Sequence, residues 1–197
     1  LIAMGGAQYV HTFDKCLFMP SDLTAGLEYN RDRLKDNMWG YDRHTDQTVN
    51  IYSAFLQNEW KNERWSILVG GRLDKHNMVD NIIFSPRANL RFNPTQNINL
   101  RLSYSSGFRA PQAFDEDMHI ENVGGTVAMI ERTKNLKEEK SQSFSASADI
   151  YHRFGAFQTN FLIEGFYTKL TDVFVLGEPY NRGDGVLVKL RSNGPGA

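Results

Sequence analysis

Polar and apolar residues alternate along most of this chain with a period of two. The clearest run lies between residues 85 and 105, where Pro86, Ala88, Leu90 and Phe92 alternate with Ser85, Arg87, Asn89 and Arg91. After the break Asn93-Pro94-Thr95-Gln96-Asn97, residues Ile98, Leu100, Leu102 and Tyr104 alternate with Asn99, Arg101, Ser103 and Ser105. Successive side chains of a strand point to opposite faces, so each segment is predicted to be a β-strand with one apolar and one polar face. The pattern recurs. Leu23, Ala25, Leu27 and Tyr29 oppose Asp22, Thr24, Glu28 and Asn30, and Trp65, Ile67, Val69 and Leu73 oppose Ser66, Gly70, Arg72 and Asp74. Phe144, Ala146, Ala148 and Ile150 oppose Ser143, Ser145, Ser147 and Asp149. Phe157, Thr159, Phe161, Ile163 and Tyr167 oppose Gln158, Asn160 and Glu164, with Leu162 and Phe166 as exceptions. Residues 47–60 fit more loosely. With a first strand from Ala3 to His11 and another starting near Asn193, the pattern predicts about eight or nine strands and an all-β fold.

The connections sort by length. Breaks at 61–64, 93–97 and 153–156 are short, whereas those at 34–46, 75–83, 107–139 and 169–188 are long. Short and long connections alternate, as they must when every strand crosses a slab with tight turns on one side and loops on the other. A soluble sandwich has no reason to keep that order. Aromatic rings follow the same division. Trp60, Trp65, Phe92, Tyr151, Phe154 and Phe157 flank short turns, and Tyr29, Tyr104 and Tyr167 lie at the opposite strand ends. Rings with an apolar body and a polar tip favour a membrane boundary, and girdles at two levels are expected of an antiparallel transmembrane β-barrel.

Composition agrees with that architecture without requiring it. Of 197 residues 41% are hydrophobic and 12% aromatic, and 22 basic against 23 acidic residues give a net charge of −1. No general electrostatic attraction to nucleic acid exists at that balance. No stretch approaches the roughly 18 consecutive apolar residues of a membrane-spanning helix, but a barrel strand needs only about 9–11 alternating ones. The mean hydropathy of −0.47 is therefore uninformative. The first residues, Leu1-Ile2-Ala3-Met4-Gly5-Gly6, carry neither a basic nor an apolar leader region. The single Cys16 has no partner for an internal disulfide and reads as a half-buried turn residue.

The polar faces carry Arg72, Arg87, Arg91 and Arg101 with Glu28, Glu59, Asp149 and Glu164. A closed eight-stranded barrel has an interior just filled by side chains and packs such charges as ion pairs. The chain opens and closes in mid-strand, however, and unpaired sheet edges are not tolerated in hydrocarbon. The expectation is that these strands belong to a larger barrel.

Several segments resemble the barrel domain of TonB-dependent outer-membrane receptors. Phe84-Ser85-Pro86-Arg87, the turn Asn93-Pro94-Thr95, and Leu102-Ser103-Tyr104-Ser105-Ser106-Gly107-Phe108-Arg109-Ala110-Pro111 are similar to consecutive motifs of that family. Leu136-Lys137-Glu138-Glu139-Lys140-Ser141 is similar to its approach to the next strand, with Lys137-Glu138 where lysine-proline is common. Tyr52 to Trp60 and Gly70-Gly71-Arg72-Leu73-Asp74 match two more stations in family order. The resemblance implies a 22-strand barrel with a plug domain inside it, energised by the TonB complex through an N-terminal box. All 197 residues would then belong to one barrel domain, with plug, box and signal peptide lying elsewhere. The implied location is the outer membrane of a Gram-negative cell. The implied activity is import of a scarce nutrient: an iron-siderophore, heme, cobalamin or a glycan. Expected partners are outer-membrane lipid, the TonB complex, a small-molecule or metal-chelate ligand and a surface lipoprotein.

Candidate ligand contacts concentrate in the loop 107–139. Phe114, Asp115, Glu116, Asp117 and His119 place hard oxygen donors beside an imidazole, without the spacing of a calcium-binding helix-loop-helix, so solvated loop acids are the plainer reading. Arg109 and Gln112 follow the sixth strand; Arg109 suits an anionic ligand group or a loop anchor. Met38, Met78, Met118 and Met129 fall in predicted outer loops with His44, His76 and His119. Soft donors of that kind suit copper or heme iron, but packing in the loops is favoured because no pair shows ligand spacing. Neither a metal site nor a cofactor is expected. Catalysis has little support: nucleophile elbow, phosphate-binding loop, HExxH and cysteine pair are all missing from the sequence. Two alternatives stand beside the importer: a small self-contained outer-membrane barrel acting as an enzyme or adhesin, and a soluble carbohydrate-binding β-sandwich.

Overall fold

A computed structural model describes residues 1–39, 43–113, 121–123, 126–133, 135–183 and 185–197. Eight long strands form one antiparallel sheet: β1 (Ile2–Cys16), β2 (Met19–Met38), β3 (Arg43–Lys61), β4 (Trp65–His76), β5 (Ile83–Thr95), β6 (Ile98–Arg109), β9 (Glu139–Phe154) and β10 (Phe157–Thr171), in the order β1-β2-β3-β4-β5-β6-β9-β10. A smaller five-stranded sheet is built from β7 (Glu121–Val123), β8 (Thr126–Arg132), β11 (Phe174–Leu176), β12 (Tyr180–Asn181) and β13 (Leu187–Asn193). β13 runs parallel to β8, and all other pairs are antiparallel.

Registers carry the period of two across the sheet. Leu23, Asn58, Val69, Ala88, Tyr104, Phe144 and Tyr167 form one continuous row on β2 through β10. This apolar face is uncovered: Val69, Leu102, Phe144 and Phe161 are 51, 54, 49 and 59% exposed. No helix or second layer lies on it among the described residues. The opposite face takes the row Thr24, Gln57, Gly70, Arg87, Ser105, Ser143 and Thr168. Leu162 and Phe166, which broke the alternation, lie on this polar face, in register with Asp149 and Ser145.

Tight turns gather at one end. Leu17-Phe18, residues 62–64, Gln96-Asn97 and Gly155-Ala156 connect consecutive strands there. Leu17 and Gly155 take φ of 63° and 57°, the left-handed geometry that closes a tight hairpin. At the other end the strands run further than expected. The segment 34–46 is not a long loop, because β2 continues to Met38 and β3 starts at Arg43, leaving residues 39–42 between them. The excursion after β6 contains β7 and β8, and the one after β10 contains β11 and β12. Asn193 ends β13; beyond it Gly194 N donates to Val173 O, and Ala197 and Leu170 exchange backbone bonds, so the chain returns beside the end of β10 without forming a further strand there.

The buried core sits at this loop end: among the described residues the buried hydrophobics are Val49, Val79, Ile83, Ala110, Met129, Ile130 and Val188. The small sheet is tied to the polar face at this end: Gln47 Oε1 on β3 accepts from Ala113 N at 2.8 Å and from Arg132 Nη1 on β8 at 3.1 Å.

Candidate functional site

Two surfaces come from this arrangement: the polar wall and the rim where the loops meet. On the wall, Asp74 is 3% exposed and accepts from Ser53 Oγ at 2.5 Å and Arg72 Nε at 2.9 Å. Arg72 reaches the other way to Glu28 at 2.6 Å. Three strands thus contribute to one charge chain, which holds Arg72 between two carboxylates. Gly26 makes room beside it, since the Phe55 ring lies across the position a Cβ would occupy. A cavity of about 750 Å³ opens here, lined by Glu28, Asn30, Ser53, Arg72 and Asp74 among others.

At the rim a second cavity of about 530 Å³ lies between β3, the loop after β4 and the segment 111–136. His44, Met78, Pro111, Ile130, Glu131 and Arg132 line it. Arg132 Nη1 also donates to Pro111 O at 2.8 Å, fixing the floor. The sequence pointed at His44 and Met78 separately; the structure brings them to one cavity. Met129 and His76 do not join them as donors. Met129 is 6% exposed in the rim core, and His76, 1% exposed, accepts from Met78 N through Nδ1 at 3.0 Å. Among the described residues no group of three or more His, Cys, Asp or Glu is placed to hold a metal ion.

Arg109 and Gln112 are placed by the frame around them. Arg109 faces Glu139 in register across β6 and β9, and its guanidinium lies 5.7 Å from the centre of the Phe174 ring. Glu139 Oε2 accepts from Phe174 N at 2.9 Å, so these groups join β11 to the large sheet. Gln112 N donates to Ala110 O at 2.8 Å, and its side chain faces the His76 ring, whose Nε2 has no partner of ordinary hydrogen-bond geometry among the described residues. The candidates Phe114, Asp115, Glu116, Asp117 and His119, together with Met118 and the side chain of Met38, lie outside the described residues.

Among the rings, Trp65 and Phe92 stack at 4.1 Å on the apolar face, with Phe18 and Trp60 stacked at 5.6 Å nearby at the turn end. Phe154 and Phe157 are in register there. Tyr104 and Tyr167 flank Phe144 at the loop end, and Tyr29 meets Tyr52 at 4.9 Å. Tyr151 stands apart on the polar face, donating to Asp149 at 2.8 Å.

The model of the family described as TonB dependent receptor-like, beta-barrel matches residues 5–192. The chain belongs to that family. Its TonB-dependent receptor barrel strands superpose on the siderophore receptor PirA of Pseudomonas aeruginosa with a TM-score of 0.81 at 15% identity, covering 100% of this chain and 37% of that one. The ferric enterobactin receptor PfeA of the same organism, solved as a Q482A mutant with enterobactin, gives 0.72 at 18% identity, covering 100% and 31%. The FrpB iron transporter of Neisseria meningitidis gives 0.63 at 16% identity, covering 98% and 31%. The chain thus spans about a third of the length of the receptors it matches. No curated protein matches the sequence. Eight strands in an open order, with β1 and β10 at the edges, are the antiparallel wall of a transmembrane barrel and not a closed eight-stranded one.

Proposed function

We propose that this TonB-dependent receptor barrel segment is part of an outer-membrane receptor that imports a scarce nutrient into a Gram-negative cell, with energy from the TonB complex, and that it is not an enzyme. The observation that carries the reading is the uncovered apolar face of an open antiparallel sheet whose sequence matches the family model over residues 5–192. An apolar face repeated on every strand is larger than a soluble monomer leaves in water. In barrels of this type short turns lie on the periplasmic side and long loops outside. That orientation puts the rim cavity at the external mouth and the Glu28-Arg72-Asp74 wall in the lumen, facing the plug. On this reading the complete barrel has 22 strands, and the plug, TonB box and signal peptide lie outside these residues.

The ligand we infer is an iron chelate, because three similar structures are a siderophore receptor, a ferric enterobactin receptor and an iron transporter. The loop 107–139 with Arg109 and Gln112, and the cavity lined by His44 and Met78, are its proposed contacts. A deletion strain under iron restriction is expected to lose growth on one ferric siderophore and to regain it with the gene. Met78→Trp, which fills the cavity, is expected to cut uptake about tenfold, the equivalent of one lost binding contact, at unchanged surface abundance. Loss of cobalamin or glycan uptake with all iron sources still used would sink the iron reading. Uptake that persists without TonB would sink the energy source.

A further inference from the structure

The β2–β3 hairpin climbs past the upper ring of aromatics, and there its alternation sorts charge in place of apolarity. Tyr29 and Tyr52 pair on the apolar face. Beyond them the residues on that same face of β2 are Arg31, Arg33 and Lys35, all exposed, whereas Asp32, Leu34 and Asp36 turn to the polar face and are half-buried. No bulge interrupts the register from Ser21↔Trp60 to Met38↔Arg43, so the facing is continuous. Lys75 shares the row of Tyr29 and Tyr52, with Nζ donating to the carbonyls of Val79 and Asp80. On the far side of the sheet Lys169 stands one step above Tyr167 on the same face. Asp46 is the acid opposing this row on β3, and it is held by Arg33 at 2.8 Å. Arg31 and Lys35 form no ion pair among the described residues.

A strand rises about 3.3 Å per residue, and a tilt of about 40° leaves Arg31 roughly 5 Å and Lys35 roughly 15 Å above Tyr29. That is the headgroup layer of the leaflet around the barrel. We propose that Arg31, Arg33 and Lys35, flanked by Lys75, form a binding stripe for the phosphate groups of lipids in the outer leaflet. The inference rests on the membrane orientation given above and adds a lipid chemistry to it. Guanidinium groups take phosphate oxygens in bidentate pairs, and Arg31 is free to do so while Arg33 remains tied to Asp46. Asp32 and Asp36 face inward, away from the leaflet, and Asp46, the acid on the outward face, is paired with Arg33. The stripe continues directly from the lipid-contacting face, so its occupant is the surrounding lipid.

The test uses the intact receptor in phosphatidylcholine vesicles doped with diphosphoryl lipid A or with lipid A stripped of its phosphates. The wild-type protein is expected to retain the diphosphoryl form preferentially, counted by native mass spectrometry. In Arg31→Gln/Lys35→Gln affinity is expected to fall about 30-fold, the loss of two surface cations, with a shallower salt dependence. Asp32→Asn/Asp36→Asn, on the other face, is expected to change neither. Heat-modifiable migration on gels shows that each variant is folded. Equal retention of both lipids, an unaltered double variant, or full competition by millimolar inorganic phosphate would overturn the stripe while siderophore uptake stands. A wild-type protein that fails to insert into either vesicle would overturn the stripe and the membrane orientation together.

Discussion

Gly70 and Gly71 show how closely neighbouring strands constrain single positions. A Cβ at Gly70 would lie 2.6 Å from Gln57 Cβ and 2.9 Å from Leu56 O, both fixed to the β3 backbone. Gly70→Ala is therefore expected to cost about 1–3 kcal/mol in urea unfolding from vesicles, as overpacking does. At Gly71 the obstacle is the Phe84 ring, 2.5 Å away, which can rotate; Gly71→Ala is expected to cost less. Equal losses would refute the distinction between backbone and ring. Asp74 offers a second contrast. Asp74→Ala leaves Ser53 without its acceptor and Arg72 with Glu28 alone, and Arg72 is 38% exposed, so water offsets part of the penalty. A loss of about 2 kcal/mol is expected, below the 3–5 typical of a fully buried pair. Asp74→Asn, which keeps an acceptor, is expected to lose roughly half as much. These residues were visible in the sequence as members of a polar face. Their mutual contacts were not, because Glu28, Ser53 and Asp74 are joined by strand register and not by proximity in the chain.

Elements followed from sequence where one face of the sheet is apolar at alternate residues and were lost where it is not. Residues 85–105 read as two strands because the uncovered face carries Leu90, Leu100 and Leu102 at alternate places. The segment 34–46 reads as a loop because, above the membrane, neither face of the hairpin need be apolar. What survives is a period in charge, Arg31-Asp32-Arg33-Leu34-Lys35-Asp36, which hydropathy does not register. The Arg33 to Asp46 pair on this extension carries a pH dependence. The guanidinium of Arg33 bonds the Asp46 carboxylate and holds its pKa below the ordinary value. A depressed carboxylate contributes stability above its unfolded pKa of about 3.9 and loses it as the pH falls through the lower folded value. Hydrogen exchange of residues 33–36 and 45–48, corrected for intrinsic rates, is expected to be faster in Asp46→Asn than in wild type at pH 7. As the pH falls through the lower folded value the two are expected to converge. The pair is exposed, so the difference at neutral pH is expected to be small. The smaller sheet was illegible for another reason: its parallel β8–β13 pair joins Ala128 to Leu187 across most of the C-terminal half.

At the scale of the whole molecule, the sheet has two unsatisfied edges. Among the described residues β1 has its outer side unpaired, and β10 is met by Ala197 only at Leu170. Backbone groups left open in hydrocarbon cost several kcal/mol each, which no side-chain contact within these strands offsets. Expressed alone, the 197 residues are expected to aggregate or to bind detergent without forming a heat-modifiable monomer. A sharp, folded monomer on a gel would show that the edges close on each other, and the larger barrel would be wrong.

Along β1 to β6 every strand pairs with the one before it, through turns of a few residues, so membrane assembly can advance one hairpin at a time. The exception is the step from β6 to β9, across residues 110–138. Closing that excursion costs about 2 kcal/mol more chain entropy than a two-residue turn. A nascent barrel should therefore pause with β6 as its growing edge, and whatever machinery catalyses insertion would have to shield that strand for longest.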